Sequence, residues 1–476
     1  NARWKTAMSY FSRAVAEDTT FALASYRLAV AADWASQFDT ARSAVDRALR
    51  HGQRLSGHDR ELLVAFNSAL RGRADEAEAA YKHITSDYPD DVEAWYRYGE
   101  VLYHYNPVRG RSVFESKPMF ERAVQAAPDV EPMVLHLMEL ALYKRDWDNF
   151  DRLAKRVDAT KPASLRRIMV RDYTTADAAQ RAELEAKLTS AKDGDVFVIA
   201  TGLAQFSRDL PAAERVARIL TLPTRPLYVR AAGLLAIAQY QAARLNWSAA
   251  RATLAQLASI NEAYALEHEA LWASMPFLEV PKQELQAIRA RVQKWNAAAA
   301  DSVHQPNVYL GAHNGVHPLL RFYLLGVMDA RLGDYASAER QASALSVVSD
   351  SVRASFAHRL ATAVRAHADF ARKDYTGVLE RLDNTRVDAD LDLVYNSVFW
   401  NGAVERFVRA EALRALNRSA EADPWYASLM EGRNEVFFYP VTLDRLVADF
   451  RTDDAKGSNA AVQHFVALHY VQRQRR

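Results

Sequence analysis

The chain has 476 residues, with 61 Lys and Arg against 59 Asp and Glu, and a formal net charge of +2. Cysteine is absent, which excludes a disulfide framework, a Cys-ligated zinc, an iron–sulfur cluster and a thiol nucleophile, and the near-neutral charge gives no global pull toward nucleic acid or an anionic membrane. Only 16 Gly and 15 Pro, beside abundant Ala, argue against a β-rich chain with its frequent turns and point to an all-α chain of helices joined by short turns.

No apolar run approaches the ~18 residues that span a bilayer. The richest, Ala231 to Tyr240, is flanked by Arg230 and Arg244. The chain begins with Asn1 rather than Met and reads as a mature or excised segment. Its length suggests three domains at about 150 residues each, unless it is a repeat array.

A repeat is visible from the start. Ala7-x-x-x-Phe11-x-x-Ala14 has the spacing of the second helix of a hairpin, with no first helix before it. Met8, Phe11 and Val15 would then form an uncapped apolar end. Either a preceding segment is missing, or another copy docks there head to tail. Leu28-Ala29 precede Ala41-x-x-x-Val45-x-x-Ala48, and Val64-Ala65 precede Ala77-x-x-x-Tyr81-x-x-Ile84 and Pro89. Then come Trp95-x-x-Tyr98-Gly99-x-x-Leu102 and Phe120-x-x-Ala123-x-x-x-x-Pro128. Pro128 and Pro162 are 34 residues apart, while Pro89 and Pro128 are 39 apart. The five extra residues fall in the connection His104–Lys117, where Arg109 and Arg111 could bind an anion; a tolerated insertion is the alternative.

Two antiparallel helices approach closely where one offers a small residue, here Ala29, Ala65, Gly99 or Gly326. The partner fills the groove with Val45, Tyr81, Phe120 or Ala342. The turns also repeat: Arg71-Gly72-Arg73, Arg145-Asp146-Trp147, Leu245-Asn246-Trp247, Gly333-Asp334-Tyr335, Lys373-Asp374-Tyr375 and Leu416-Asn417-Arg418. This grammar resembles the tetratricopeptide repeat (TPR): large and small residues on a first helix, small and aromatic on a second, and proline at the exit. The resemblance implies an α-solenoid of antiparallel hairpins wound into a right-handed superhelix.

The first helices of such a solenoid line its inner face. By register that face includes Tyr26, Val30 and Trp34, then Glu93, Tyr96, Glu100 and Tyr103, then Leu135, Glu139 and Tyr143. Aromatic rings with interspersed carboxylates suit a peptide carrying basic side chains. The alternative is that these rings pack on neighbouring repeats.

In the middle, helices are readable at Ser164–Tyr173, Ala176–Ala191, Val196–Phe206, Pro211–Leu220, Pro226–Arg244 and Trp247–Ile260. Asn261–Ala273 and Pro281–Ala298 read as a degenerate hairpin. The polar stretch Ala299–Pro318, with His304, His313 and His317, reads as a joint or a functional loop. Two imidazoles four residues apart suit a metal only on a helix, and Gly315 with Pro318 argues against one. No metal or cofactor is expected, and the histidines read as structural or exposed. From about residue 316 the repeat resumes, with Phe322-x-x-Leu325-Gly326 before Ala338-x-x-x-Ala342-x-x-Leu345, and it ends on Ala461-x-x-x-Phe465-x-x-Leu468 and a basic tail. The expected organisation is thus a regular array over 1–162, degenerate hairpins over 163–298, a joint over 299–318 and a second array over 319–476.

No phosphate-binding Gly-rich loop, Gly-x-Ser-x-Gly or His-Glu-x-x-His occurs, so no enzyme is expected. The acidic groups Asp146/Asp148 and Asp388/Asp390/Asp392 read as solvated helix ends. Asn246-Trp247-Ser248 and Asn417-Arg418-Ser419 fit the N-glycosylation pattern, in turns where Asn and Ser are favoured anyway.

Three stretches sharpen the resemblance: Phe21 to Ala29, Tyr88 to Tyr96 and His104 to Arg111. They look like the long TPR regions that follow kinase or regulatory domains in some bacterial serine/threonine kinase-type signalling proteins. Those regions act as sensor or docking segments; no kinase motif is present here. The expected function is a non-enzymatic scaffold for a protein or peptide, with an end-to-end filament as the alternative. Absence of Cys leans toward an extracytoplasmic or cell-surface life. No membrane insertion and no nucleic-acid partner are expected.

Overall fold

The computed structural model describes residues 4–35, 37–128, 130–302, 313–349, 353–385, 389–433 and 435–451. Among them every regular element is a helix, and the fold is all-α, built from successive antiparallel hairpins. The composition explains this. Ala-rich helices cost little side-chain entropy and approach one another closely, so short apolar stripes suffice to pack each hairpin on the next. No described helix is long and apolar enough to cross a membrane.

Seven of the hairpins share one turn. Gly72, Arg145, Arg208, Leu245, Gly333, Lys373 and Asn417 all have positive φ, between 53° and 82°. The next residue's N–H bonds back to a carbonyl five positions earlier in six of the seven, as in Asp146 to Ala141, Asn246 to Gln241 and Asp374 to Asp369. That closure is a Schellman-type helix stop. The same next residue often caps the second helix: Asp146, Asp209, Asn246, Asp334 and Asp374 each accept an N–H three residues on. Arg208-Asp209 belongs to this set, although the sequence reading did not single it out.

The chain divides into two compact units. The first comprises Asn1–Tyr105, Glu115–Met133 and Asp388–Leu391. Its hairpins are Ala22–Trp34 with Phe38–Arg50, Gly57–Leu70 with Ala74–Asp87, and Val92–Tyr105 with Lys117–Ala126; Trp4–Glu17 packs on Ala22–Trp34. A Cβ on Gly99 would lie 2.6 Å from the Phe120 ring, so the small-against-large contact is realised there. Asp390 is not a solvated helix end. It is buried, with Arg42 Nη1 2.7 Å from Oδ2, and the Tyr105 hydroxyl donates to the Ala389 carbonyl at 2.7 Å.

The second unit comprises Asn106–Phe114, Val134–Val387 and Asp392–Arg476. Its helices Pro162–Thr175, Ala178–Thr189, Asp193–Gln205, Leu210–Leu220, Leu227–Ala243, Trp247–Ala258, Glu262–Ser274 and Lys282–Lys294 follow the sequence boundaries closely. Further hairpins are His317–Leu332 with Tyr335–Ser346, Ala354–Ala371 with Tyr375–Asp383, and Ala403–Ala415 with Ser419–Leu429. A Cβ on Gly326 would meet Val364 at 2.6 Å. The groove filler at Gly326 is therefore a residue of the following hairpin, not Ala342 as the repeat register implied.

Within this unit the chain's own C-terminal segment lies against earlier helices. The Glu431 carboxylate accepts from Ser112 Oγ and Val113 N, both at 2.8 Å, and its carbonyl accepts from the Tyr143 hydroxyl and from Gln205 Nε2. Phe277 packs on Phe407 and Phe438. Arg406 and Glu435 form a buried ion pair at 2.6 Å, and Arg406 also donates to Ser428 Oγ.

Candidate metal centre

The second unit holds a small, half-open cleft with a cavity volume of about 50 Å³. Phe197 and Thr201 of Asp193–Gln205, Leu235, Ala236, Gln239 and Tyr240 of Leu227–Ala243, and Tyr264 and His268 of Glu262–Ser274 form one side. His313, Asn314 and His317, with Asn396, Ser397, Val398 and Arg433, form the other.

Glu267 and His268 are adjacent on one helix, in apolar company with Leu271 and Trp272. Glu267 is 0% exposed, His268 2% and His317 1%. Gly315, at φ +75°, turns the chain between His313 and the helix that begins at His317. Both rings thereby reach the same carboxylate. His313 Nδ1 is 3.0 Å from Glu267 Oε1 and His317 Nδ1 is 2.6 Å from Glu267 Oε2. Behind them, His313 Nε2 meets Ser397 Oγ at 2.7 Å, and His317 Nε2 lies 3.4 Å from Asp301. One ligand atom from each of Glu267, His268 and His313 falls within 4.8 Å of the other two.

Electrostatics follow from that packing. Burial alone would raise the Glu267 carboxyl, but the His317 charge and the hydrogen bonds from His313 and His317 outweigh it and hold the group well below the carboxylate range. Burial pushes the His268 imidazole down to about 3, so its ring is neutral at pH 7. Burial opposes the charge on His317, yet the Glu267 charge and hydrogen bond raise it.

His313 and His317 thus meet at the Glu267 carboxylate although they do not share a helix. A left-handed glycine before a helix start brings the two rings together as well as a helical turn does. His304 lies outside the described residues. Sequence reasoning missed Glu267 and His268; the available signal was a charged pair in the middle of an otherwise apolar helix.

The groove residues fall elsewhere. Tyr26 is buried and donates to Glu93 Oε1 at 2.9 Å. Trp34 is half-buried between Trp4 and Tyr96, with ring centroids 5.0 and 5.6 Å away. Tyr96 and Tyr103 are buried against Phe120, and the Glu100 carboxylate is buried 3.7 Å from His104 Nε2. Tyr143 is buried against Phe206. The partner-facing reading of these six is therefore corrected: their side chains are taken up within the fold, Trp34 on Tyr96 and both Tyr96 and Tyr103 on Phe120 of the paired helix Lys117–Ala126.

In the loop that carries Arg109 and Arg111, Arg109 is engaged within the chain. Arg109 donates to Asn106 Oδ1, and Gly110, at φ +68°, lies so close to the Trp425 ring that a Cβ would stand 2.7 Å from it. At the N-terminal helix Val15 is buried and Met8 and Phe11 are half-buried. Asn246 and Asn417 lie in exposed turns. The helix Ala461 to Leu468 lies outside the described residues.

No family model matches the chain, and no curated protein matches it. Among solved structures, the crystal structure of the P58(IPK) TPR domain aligns at 13% identity, over 76% of this chain and 99% of that one, with a TM-score of 0.20.

Proposed function

We propose that the chain is a non-enzymatic helical-repeat scaffold, and that its second unit takes a segment of a partner protein into the cleft. The observation that carries this reading is the cleft wall itself. Three successive first helices, Asp193–Gln205, Leu227–Ala243 and Glu262–Ser274, contribute side chains to one concave surface, the arrangement by which helical repeats hold extended chains. The chain's own Asn396–Val398 already lies along one edge. The likeness of the N-terminal third to docking regions of bacterial signalling proteins supports the same class of role.

Selection of displayed random peptides against the purified chain tests this. Wild type enriches a consensus, and Gln239→Trp, which fills the cleft from a half-buried position, loses it while keeping its melting temperature. No enrichment, or equal enrichment on both proteins, overturns the reading. Fibres in electron micrographs, in place of discrete particles, would favour end-to-end assembly through the half-buried Met8 and Phe11 instead.

A further inference from the structure

We propose that Glu267, His268 and His313 bind a divalent transition-metal ion of the zinc class, with an open coordination position facing the cleft.

Three observations converge on this. First, the donor set is one carboxylate and two imidazoles, which suits Zn²⁺, and it is assembled from positions 46 residues apart, Glu267 with His313. An ion with bonds of about 2.0–2.1 Å sets tetrahedral ligand atoms about 3.3 Å apart. The set found lies within 4.8 Å, so closure needs side-chain shifts of about an ångström rather than backbone rebuilding.

Second, His268 is 2% exposed and neither of its ring nitrogens has a hydrogen-bond partner among the described residues. A buried imidazole left unsatisfied is costly. A metal ion bonded to one nitrogen removes much of that cost, because the lone pair of a neutral ring is then used.

Third, supporting contacts are in place. His317 Nδ1 is 2.6 Å from Glu267 Oε2, the oxygen that does not face His313. Ser397 Oγ meets the far nitrogen of His313 at 2.7 Å. Such outer contacts orient first-shell ligands and fix ring tautomers. Asp301 stands 3.4 Å from His317 Nε2 and adds negative charge behind the ring. Arg433 lines the same cleft, but its guanidinium is engaged by Asn396 Oδ1 and the Tyr395 ring.

Three protein ligands leave a fourth position. Because His268 and His313 both line the cleft, that position opens into it, where water or a donor atom from a bound partner would complete the shell. The inference does not depend on the scaffold reading, since the ion would bind with or without a partner.

The test is titration of the purified, chelator-treated chain with Co²⁺ alone, followed by competition with Zn²⁺. The expected result is one equivalent per chain with the visible d–d absorption of a four-coordinate ion, displaced by Zn²⁺. His268→Ala and His313→Ala should weaken binding at least about tenfold, while His83→Ala, at an exposed site, should leave it unchanged. A Zn²⁺-dependent rise in melting temperature should be present in wild type and absent in the two cluster variants. Failure of wild type to take up one equivalent overturns the proposal, whatever the variants do. Undiminished uptake by either folded cluster variant overturns it too, because the ion would then sit elsewhere.

Discussion

Gly99 faces the Phe120 ring so closely that a single added carbon would stand 2.6 Å from it. Gly99→Ala gains about 1 kcal/mol of helix propensity and incurs overpacking of about 1–3 kcal/mol. Phe120 is fully buried and packed against Tyr96 and Tyr103, so overpacking is expected to win. Urea melts should show a net loss of up to about 2 kcal/mol. Adding Phe120→Leu, which clears the space, should recover part of the loss that Gly99→Ala causes. Additive losses would mean that the two residues do not share one contact.

The Arg406–Glu435 pair is 2.6 Å apart with both side chains nearly sealed from water. Removing one partner leaves the other charge buried, at about 3–5 kcal/mol. Arg406→Met should lower the unfolding free energy measured in urea by that amount. Arg406→Met with Glu435→Gln should be less destabilised than Arg406→Met alone, because no uncompensated carboxylate remains. A double variant as unstable as the sum of the singles would contradict the pairing.

Glu405 supplies a pH dependence. Burial would raise its carboxyl, but His367, with Nε2 3.5 Å from Oε1, and the Tyr323 hydroxyl, which donates to Oε1 at 2.7 Å, hold it below its usual 4.5. A carboxyl lowered in the folded state contributes stability above its unfolded value and loses it as pH falls through the folded one. Wild type should therefore lose stability below about pH 4.5 more steeply than Glu405→Gln. Equal slopes for the two proteins in urea melts at pH 7 and pH 4 would count against this assignment.

Gln205 Nε2 donates to the Tyr143 hydroxyl at 2.6 Å and to the Glu431 carbonyl at 3.0 Å, and so ties the C-terminal segment to an inner helix. Gln205→Leu removes two donated bonds and leaves a buried carbonyl short of one of its donors, at about 1–3 kcal/mol. Hydrogen exchange should rise around residues 430–433 before it rises in the helix Leu227–Ala243. Uniform acceleration over both would mean that the segment opens only with the whole unit.

What the sequence made legible follows physical range. Helices and their ends were readable because alanine content, caps and glycine stops act within a few residues. Asp193–Gln205 and Trp247–Ala258 were placed within a turn. The side-chain destinations were not readable, because they depend on contacts between distant positions. Tyr96 and Tyr103 have the register of a groove, but only the approach of Phe120 and Trp34 shows that they are buried. The histidine cluster was missed for the same reason. His313 and His317 were seen, and their partner Glu267 lies on a helix whose apolar surroundings only the fold reveals.

The repeated left-handed turn has an engineering consequence. Gly333 and Lys373 occupy equivalent points, each followed by an aspartate that caps the next helix. Excising Asp334 through Lys373 would join Gly333 to Asp374 and rebuild the same connector from native parts. The junction needs no designed linker, so the borders of the repeated segments are the turns rather than the prolines, and the cost of excision falls on the packing face, where Gly326 loses Val364.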